Sequence, residues 1–201
     1  MRQLLVNALD HRVRNTLTVV QVMARQTLNK AGIEKTVWDA FEGRLQAMVQ
    51  AHGVLTRESW QSADIRQIVA EVLGVHGEDH VNRFDIEGAE VWIEAQNVLA
   101  LAMTLHELGT NAVKYGALAV PTGRVVISWH VDRSAPQPVF DLNWQETGGP
   151  RVQPPTRRGF GLKLIEQAFG AAGRDTVKVD YAPDGIAFNA RFRLEPRTAI
   201  A

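Results

Sequence analysis

The feature that most constrains the fold is a long amphipathic segment at the start of the chain. Residues 4–30 contain neither proline nor glycine, and apolar residues recur at spacings of three and four. The apolar stripe consists of Leu5, Leu9, Val13, Leu17, Val20 and Ala24. This pattern predicts a helix with one apolar face.

A second helix is predicted after a short break. Residues 31–33 interrupt the first pattern, and helical spacing resumes over residues 34–58. Two long helices joined by a short break form an antiparallel hairpin. One apolar face of such a hairpin is left to be buried, and a dimeric four-helix bundle is the natural way to bury it. We therefore expect residues 1–60 to form a dimerisation hairpin and the chain to be a homodimer.

The rest of the chain has shorter elements of mixed type. Helices are predicted over residues 64–76, 97–116 and 160–172, and strands over residues 83–86, 91–94, 124–131, 139–144, 176–181 and 186–194. Helices mixed with mostly antiparallel strands predict a two-layer α/β sandwich over residues 61–196, with residues 197–201 as a loose tail. The expected fold class of the whole chain is α+β.

Composition argues against several classes of protein. Lys plus Arg and Asp plus Glu each total 22, so no net charge attracts nucleic acid or an acidic membrane. Cysteine is absent, which removes disulfides, thiolate nucleophiles and cysteine metal sites. No apolar run reaches the ~20 residues that cross a bilayer. We expect a cytoplasmic protein that binds neither nucleic acid nor membrane.

The first candidate site lies in the segment Asp10-His11-Arg12 of the first helix. Helical geometry puts His11 roughly opposite the apolar stripe, so its imidazole should face water. A neutral imidazole nitrogen can attack phosphorus, and neighbouring arginine can attract a polyphosphate. An exposed helical histidine is more often an ordinary surface residue, so the pattern alone leaves both interpretations open.

The second candidate site lies on the helix predicted over residues 97–116. Glu107, Asn111 and Lys114 stand at positions i, i+4 and i+7, on one face of an otherwise apolar helix. An amide oxygen suits magnesium, a carboxylate can hold a coordinated water or accept a proton, and an ammonium suits phosphate. The alternative is a solvated polar stripe on a core helix.

The third candidate site combines a strand end with two pairs of glycines. Glu146 lies just past the end of a predicted strand, where a carboxylate can accept a hydrogen bond from an exocyclic amine such as that of adenine. Gly148 and Gly149 follow, and glycine lets the backbone approach a flat ligand. Gly159 and Gly161 open the next predicted helix, whose free N–H groups favour phosphate.

In their order along the chain, these segments resemble the HWE class of sensor histidine kinases. That class is named for a histidine in its asparagine-box helix and a Trp-x-Glu motif, which here correspond to His106, Trp144 and Glu146. DHRVRNTLTVVQVMARQT is similar to the phosphoacceptor box, HELGTNAVKYGAL to the asparagine box and GFGLKLI to the second glycine box. The resemblance covers residues 4–165 and implies the Bergerat-type ATP-binding sandwich shared with gyrase and Hsp90.

The resemblance also implies roles for individual residues. The chain would use ATP and magnesium, and Asn111 would be the magnesium ligand. The remaining assignments are His11 as phosphoacceptor, Glu107 as catalytic acid/base or water holder, Glu146 as adenine reader, and Gly159 and Gly161 beside the phosphates. The resemblance assigns no chemical role to His106 or Trp144. Gly109 stands where the class usually has alanine, at a cost of ~1 kcal/mol in a helix interior.

The implied partner is the receiver domain of a response regulator, which would accept the phosphoryl group on an aspartate. Because the chain begins within a few residues of the phosphoacceptor helix, we expect its input from a separate sensor protein or from a missing sensor domain. Two alternatives remain: a histidine phosphotransfer protein with a vestigial ATP domain, and a Bergerat-fold ATPase or serine kinase with a dimerisation hairpin.

Overall fold

The computed structural model describes residues 2–30, 32–57, 61–134, 136–152 and 176–194. The chain opens with the two predicted helices, α1 (Arg2–Lys30) and α2 (Lys35–Arg57). Gln21 of α1 donates a hydrogen bond to Glu42 of α2 at 2.6 Å, and the Arg25 guanidinium lies over the Trp38 ring. The predicted helical hairpin is confirmed.

Helices and strands then alternate in short units. They are β1 (Ser62–Asp64), α3 (Ile65–Leu73), a 3-10 turn (Gly74–His76), α4 (Glu78–Val81), β2 (Phe84–Gly88), β3 (Trp92–Glu94), α5 (Ala95–Lys114), a second 3-10 turn (Ala117–Ala119), β4 (Arg124–Asp132), β5 (Val139–Thr147), β6 (Thr176–Ala182) and β7 (Gly185–Arg193). The helix predicted over residues 160–172 lies outside the described residues.

Five strands form one mixed sheet in the order β2-β4-β5-β7-β6. Only the pairing of β2 with β4 is parallel among the described strands, and the other neighbours are antiparallel. β1 and β3 form a separate antiparallel pair. The long central strands bring the carboxyl end of β5 beside the start of β4, where Arg124 faces Thr147.

The core lies between this sheet and the helices. Alternate residues of the central strands, such as Ile127 and Leu142, are fully buried against Leu101 and Leu105 of α5. The carboxyl end of α2 joins the same core through Val54. The result is a two-layer sandwich whose helical layer is continuous with the hairpin.

The structure differs from the predicted elements mainly at their ends. The helix predicted over residues 64–76 tightens into a 3-10 turn at Gly74. The strand predicted over residues 139–144 continues to Thr147, because the pairing with β4 extends that far. Glu146 therefore lies within a hydrogen-bonded strand rather than beyond it.

Candidate functional site

Helix α5 carries the polar residues of the second predicted site, but they do not all face the same surroundings. Asn111 and Lys114 are exposed, whereas the Glu107 side chain is only 13% exposed and turns toward α2. The helix ends at Lys114, and the N–H groups of Tyr115 and Gly116 both donate to the Asn111 carbonyl, at 2.8 and 2.9 Å. The exposed pair therefore stands on the last turn of the helix.

Glu146 lies on the core side of β5 and is 1% exposed. The backbone N–H of Ala117 donates to its Oε2 at 2.8 Å, and the indole Nε1 of Trp144 donates to its Oε1 at 3.2 Å. Burial raises the pKa of the Glu146 carboxyl, and these two donors oppose the rise without cancelling it. The structure thus joins Glu146 to the turn that follows α5.

Two glycines make this close approach sterically feasible. A β-carbon on Gly116 would lie 2.1 Å from Oε2 of Glu146, well inside van der Waals contact. Gly148 has φ +69°, a left-handed conformation that favours glycine, and its carbonyl accepts a hydrogen bond from the Thr122 hydroxyl. Glycine at position 116 therefore leaves room for the Glu146 carboxylate, and glycine at position 148 allows the left-handed backbone that follows β5.

The loop between α5 and β4 is held by one arginine that sequence reasoning missed. The Arg83 guanidinium donates to the carbonyls of Leu118 at 2.6 Å, Val120, and Gly123 at 3.4 Å. Three carbonyls from one loop converge on one cation, so Arg83 fixes the segment that presents Ala117 to Glu146. Nothing in its sequence neighbourhood marks this role, because the partners lie about 40 residues downstream.

Glu107 pairs with the hairpin. Arg44 of α2 donates to both of its carboxylate oxygens, from Nε at 2.7 Å and from a terminal nitrogen at 3.1 Å. Both side chains are largely buried, with exposures of 22% and 13%. Two parallel donors fix the carboxylate plane as well as its position. The residue predicted as acid/base is therefore held against α2.

His106 packs beside this pair, between two elements. A β-carbon on Gly43 of α2 would lie 2.7 Å from its Nε2, and its ring stacks on His76 at a centroid distance of 6.4 Å. Burial lowers the pKa of His106, and burial lowers that of His76 to about 4. A β-carbon on Gly109 would lie 2.5 Å from His76 Nε2. The glycine that departs from the class pattern therefore makes room for His76.

The structure brings only part of the predicted site together. The turn at Gly116 and Ala117, which directly follows the helix end bearing Asn111 and Lys114, contacts Glu146, and Gly148 accepts a hydrogen bond from Thr122 further along the same loop. His11 lies on α1, but its side chain is outside the described part, as are Gly159 and Gly161. Among the described residues no group of three or more His, Asp or Glu side chains could hold a metal by itself.

Comparisons with known proteins identify the kind of protein that this chain resembles. Residues 8–90 match the family model described as HWE histidine kinase. A blue-light-activated histidine kinase of Brucella anthropi is 36% identical over 198 residues, which cover 98% of this chain and 40% of that protein. By these two matches the chain is similar to HWE histidine kinases, as its sequence motifs indicate. It spans less than half the length of this relative.

Solved structures show the same fold at low sequence identity. The histidine kinase domain of the Erythrobacter litoralis blue-light activated histidine kinase has a TM-score of 0.60 and 16% identity, covering 93% of this chain and 92% of that one. The catalytic domain of the histidine kinase ThkA has a TM-score of 0.51 and 14% identity, covering 66% of this chain and 94% of that one. The predicted α+β fold, a helical hairpin followed by the sandwich of histidine kinase catalytic domains, is confirmed.

Of the three residues that name the HWE family, two contact each other in the core and the third lies at the contact with α2. Trp144 is 1% exposed and donates to Glu146, while His106 is half-buried at the contact with α2. Sequence reasoning placed all three but missed their contacts, because Gly43, Arg44 and Ala117 belong to other elements. Within the described residues, no helix combines the length and apolar character needed to span a membrane.

Proposed function

We propose that the chain is an ATP-dependent protein histidine kinase that phosphorylates its own His11 and passes the phosphoryl group to an aspartate of a response regulator receiver domain. The observation that carries the proposal is the junction between Glu146 and the end of α5. There a buried carboxylate with two ordered donors binds Ala117, in the turn that directly follows the helix end bearing the exposed Asn111 and Lys114. An adenine reader and a magnesium and phosphate site at one junction suit ATP.

The residues at this junction fit the groups that the family implies. In its proposed role, Glu146 accepts a hydrogen bond from the adenine amine with lone pairs that Ala117 and Trp144 leave free. Asn111 offers an exposed amide oxygen, and magnesium usually takes one or two protein oxygens besides phosphates and waters. Bound magnesium would neutralise charge on the transferred phosphate. The assignments of Gly148, Gly159 and Gly161 to nucleotide binding stay predictions.

The proposed reaction is a phosphoryl transfer to imidazole. The bond between the γ-phosphorus and the bridging oxygen breaks, a bond from a His11 ring nitrogen forms, and ADP leaves. The proton on the other ring nitrogen must pass to a base, and Glu107 is the residue we propose for that step. Because Arg44 holds both Glu107 oxygens, this role requires the ion pair to loosen or to share the carboxylate.

We also propose that the chain functions as a homodimer through its hairpin. Val19, Val22 and Met23 of α1 are 56%, 51% and 64% exposed, although all three are apolar and lie on consecutive turns. A second hairpin would cover them in a four-helix bundle. In this proposal residues 1–60 form the dimerisation hairpin and residues 61–196 the ATP-binding domain. The cytoplasmic location stays a prediction.

The experiment that tests the proposed activity is incubation of the purified chain with γ-labelled ATP and magnesium. We expect acid-labile label, because phosphohistidine hydrolyses in acid, and we expect it to be lost in His11→Ala, in Asn111→Asp and on chelation of magnesium. His130→Ala is the matched control, because His130 lies exposed on β4, away from the hairpin, and should keep full labelling.

The other outcomes each contradict the proposal in a recognisable way. Acid-stable label would indicate a serine kinase with a dimerisation hairpin. Label that persists in His11→Ala would place the phosphoacceptor elsewhere. Acceptance of phosphate on His11 from a phosphorylated receiver domain, with no ATP binding, would indicate a phosphotransfer protein with a vestigial ATP domain.

A further inference from the structure

We infer that Trp144 is a positioning residue of the nucleotide site, whose indole N–H orients the Glu146 carboxylate for the adenine amine. The inference rests on the proposed adenine-reading role of Glu146. It gives a physical function to the tryptophan of the Trp-x-Glu motif, which the sequence leaves equally open to a packing role.

Strand geometry makes the two residues a unit. Successive side chains of a strand point to opposite faces, so Trp144 and Glu146 lie on the same face of β5. Both are 1% exposed, and Nε1 of the indole lies 3.2 Å from Oε1. A buried carboxylate needs hydrogen-bond donors to offset its lost hydration. Among the described residues, the indole supplies one such donor and Ala117 the other.

The direction of the indole N–H is fixed by packing. The Phe84 ring of β2 lies 5.9 Å from the Trp144 ring, centroid to centroid, with an angle of 60° between their planes. In the sheet, Trp144 faces Ile127 on one side and Phe188 on the other. Because these neighbours are fully or almost fully buried, the ring has little freedom to turn away. The donor therefore approaches Oε1 from one fixed side.

A fixed donor has two consequences for the carboxylate. It occupies one lone pair of Oε1, so the remaining lone pairs keep a constant direction for an incoming amine. It also favours the ionised form, since burial raises the pKa of Glu146 and the Trp144 hydrogen bond lowers it. An ionised acceptor forms the stronger hydrogen bond with an amine donor. Without the indole N–H, adenine binding should be weaker. On acidification, adenine binding should also be lost at a higher pH than in the wild type.

The chain offers a matched control for the packing role of tryptophan. Trp129 of β4 is also buried, at 4% exposure, and its Nε1 donates to the Ala89 carbonyl at 2.7 Å. Trp129→Phe removes a buried indole hydrogen bond without changing a donor to Glu146. Trp144→Phe removes the donor to Glu146 and keeps an aromatic ring against Phe84.

The test is calorimetric binding of ADP to the full chain between about pH 5 and about pH 8, because protonation of Glu146 should end binding at the acid side. Relative to the wild type, we expect Trp144→Phe to lose roughly tenfold in affinity near neutrality, because a misoriented Glu146 carboxylate loses its charge-assisted hydrogen bond with the adenine amine. The pH at which binding is half lost should rise in this variant. Trp129→Phe should shift neither quantity.

Two results would overturn the inference and they can be told apart. If the wild type binds ADP and both phenylalanine variants match it in affinity and pH profile, Trp144 only packs, and the proposed nucleotide site survives. If the wild type itself binds no ADP, the proposed function fails and the inference fails with it. Should Trp144→Phe not fold, benzothienylalanine at position 144 keeps the shape of the indole and removes only the N–H, and the same two readouts decide.

Discussion

At the scale of the residue, Glu146 combines burial, hydrogen bonding and backbone packing in one side chain. Its carboxylate is almost fully buried, and both of its oxygens accept hydrogen bonds. Gly116, which has no β-carbon, lies against Oε2. A group placed so tightly has little tolerance for a shift of its neighbours. The glycine next to it is therefore the most direct place to disturb the candidate site without touching a charged group.

We predict that Gly116→Ala displaces the Glu146 carboxylate. The new β-carbon would lie 2.1 Å from Oε2 and 2.9 Å from the Ala112 Cα, so something must move. Overpacking of this kind typically costs about 1–3 kcal/mol. Chemical denaturation should show that loss, and ADP affinity should fall in parallel because the carboxylate has moved.

Gly74→Ala is the control for this substitution. Gly74 ends α3 with φ −58° and ψ −23°, and a β-carbon there would meet nothing within 4 Å. Alanine is compatible with that backbone, so the free energy of unfolding should stay the same or rise by about 0.4–1 kcal/mol. A Gly116→Ala protein as stable and as tightly ADP-bound as the wild type would show that the close approach is not required.

At the scale of the element, the contact between α2 and α5 joins the hairpin to the sandwich. Arg44 and Glu107 form a bidentate ion pair there, and His106 fills the space that Gly43 leaves open. Partial burial weakens solvent screening of this pair. The pair should therefore be worth more than an ion pair on the surface.

We predict a coupling energy of about 1–3 kcal/mol between Arg44 and Glu107, within the range for charges in direct contact. The measurement is a double-mutant cycle of Arg44→Gln and Glu107→Gln, from denaturation midpoints and slopes. Arg124 and Asp85 give the comparison, since they form a bidentate pair with exposures of 51% and 42%. That exposed pair should couple more weakly, because solvent and salt screen it. Equal coupling in the two cycles would contradict a special role for the α2 and α5 contact.

The elements were predictable to the extent that their signals are local. The apolar periodicity of α1, α2 and α5 and the alternation in β4 and β5 indicated these elements within a few residues of their ends. The parallel pairing of β2 with β4 was not predictable, because it depends on a crossover through α5. In the candidate site, Glu146 and Asn111 were predictable from their residue types and their order along the chain. Their partners were not, because the contacts are distant in sequence. Arg44, Arg83 and the Ala117 N–H act across 29 to 63 residues of sequence.

At the scale of the whole molecule, α1 of the hairpin exposes Val19, Val22 and Met23, which the described part of the chain does not cover. We predict that the wild type sediments as a dimer and that Met23→Glu sediments as a monomer, because a dimer would bury two unpaired carboxylates at the interface. Met23 is 64% exposed, so the substitution should leave the fold intact by circular dichroism. Val75→Glu, at a position 50% exposed on the 3-10 turn after α3, should remain dimeric. A wild type that is monomeric at every concentration would contradict the dimer.

Helix α5 carries the hairpin contact and the proposed metal ligand one turn apart. Glu107 and Asn111 are separated by four residues, which is about 6 Å along the helix axis. If release of Glu107 by Arg44 changes the affinity for nucleotide by some factor, then nucleotide must change the strength of that ion pair by the same factor. With nucleotide bound at the proposed site, the hairpin would both influence that site and be influenced by it, so occupancy of the site would alter how firmly α2 is held against α5.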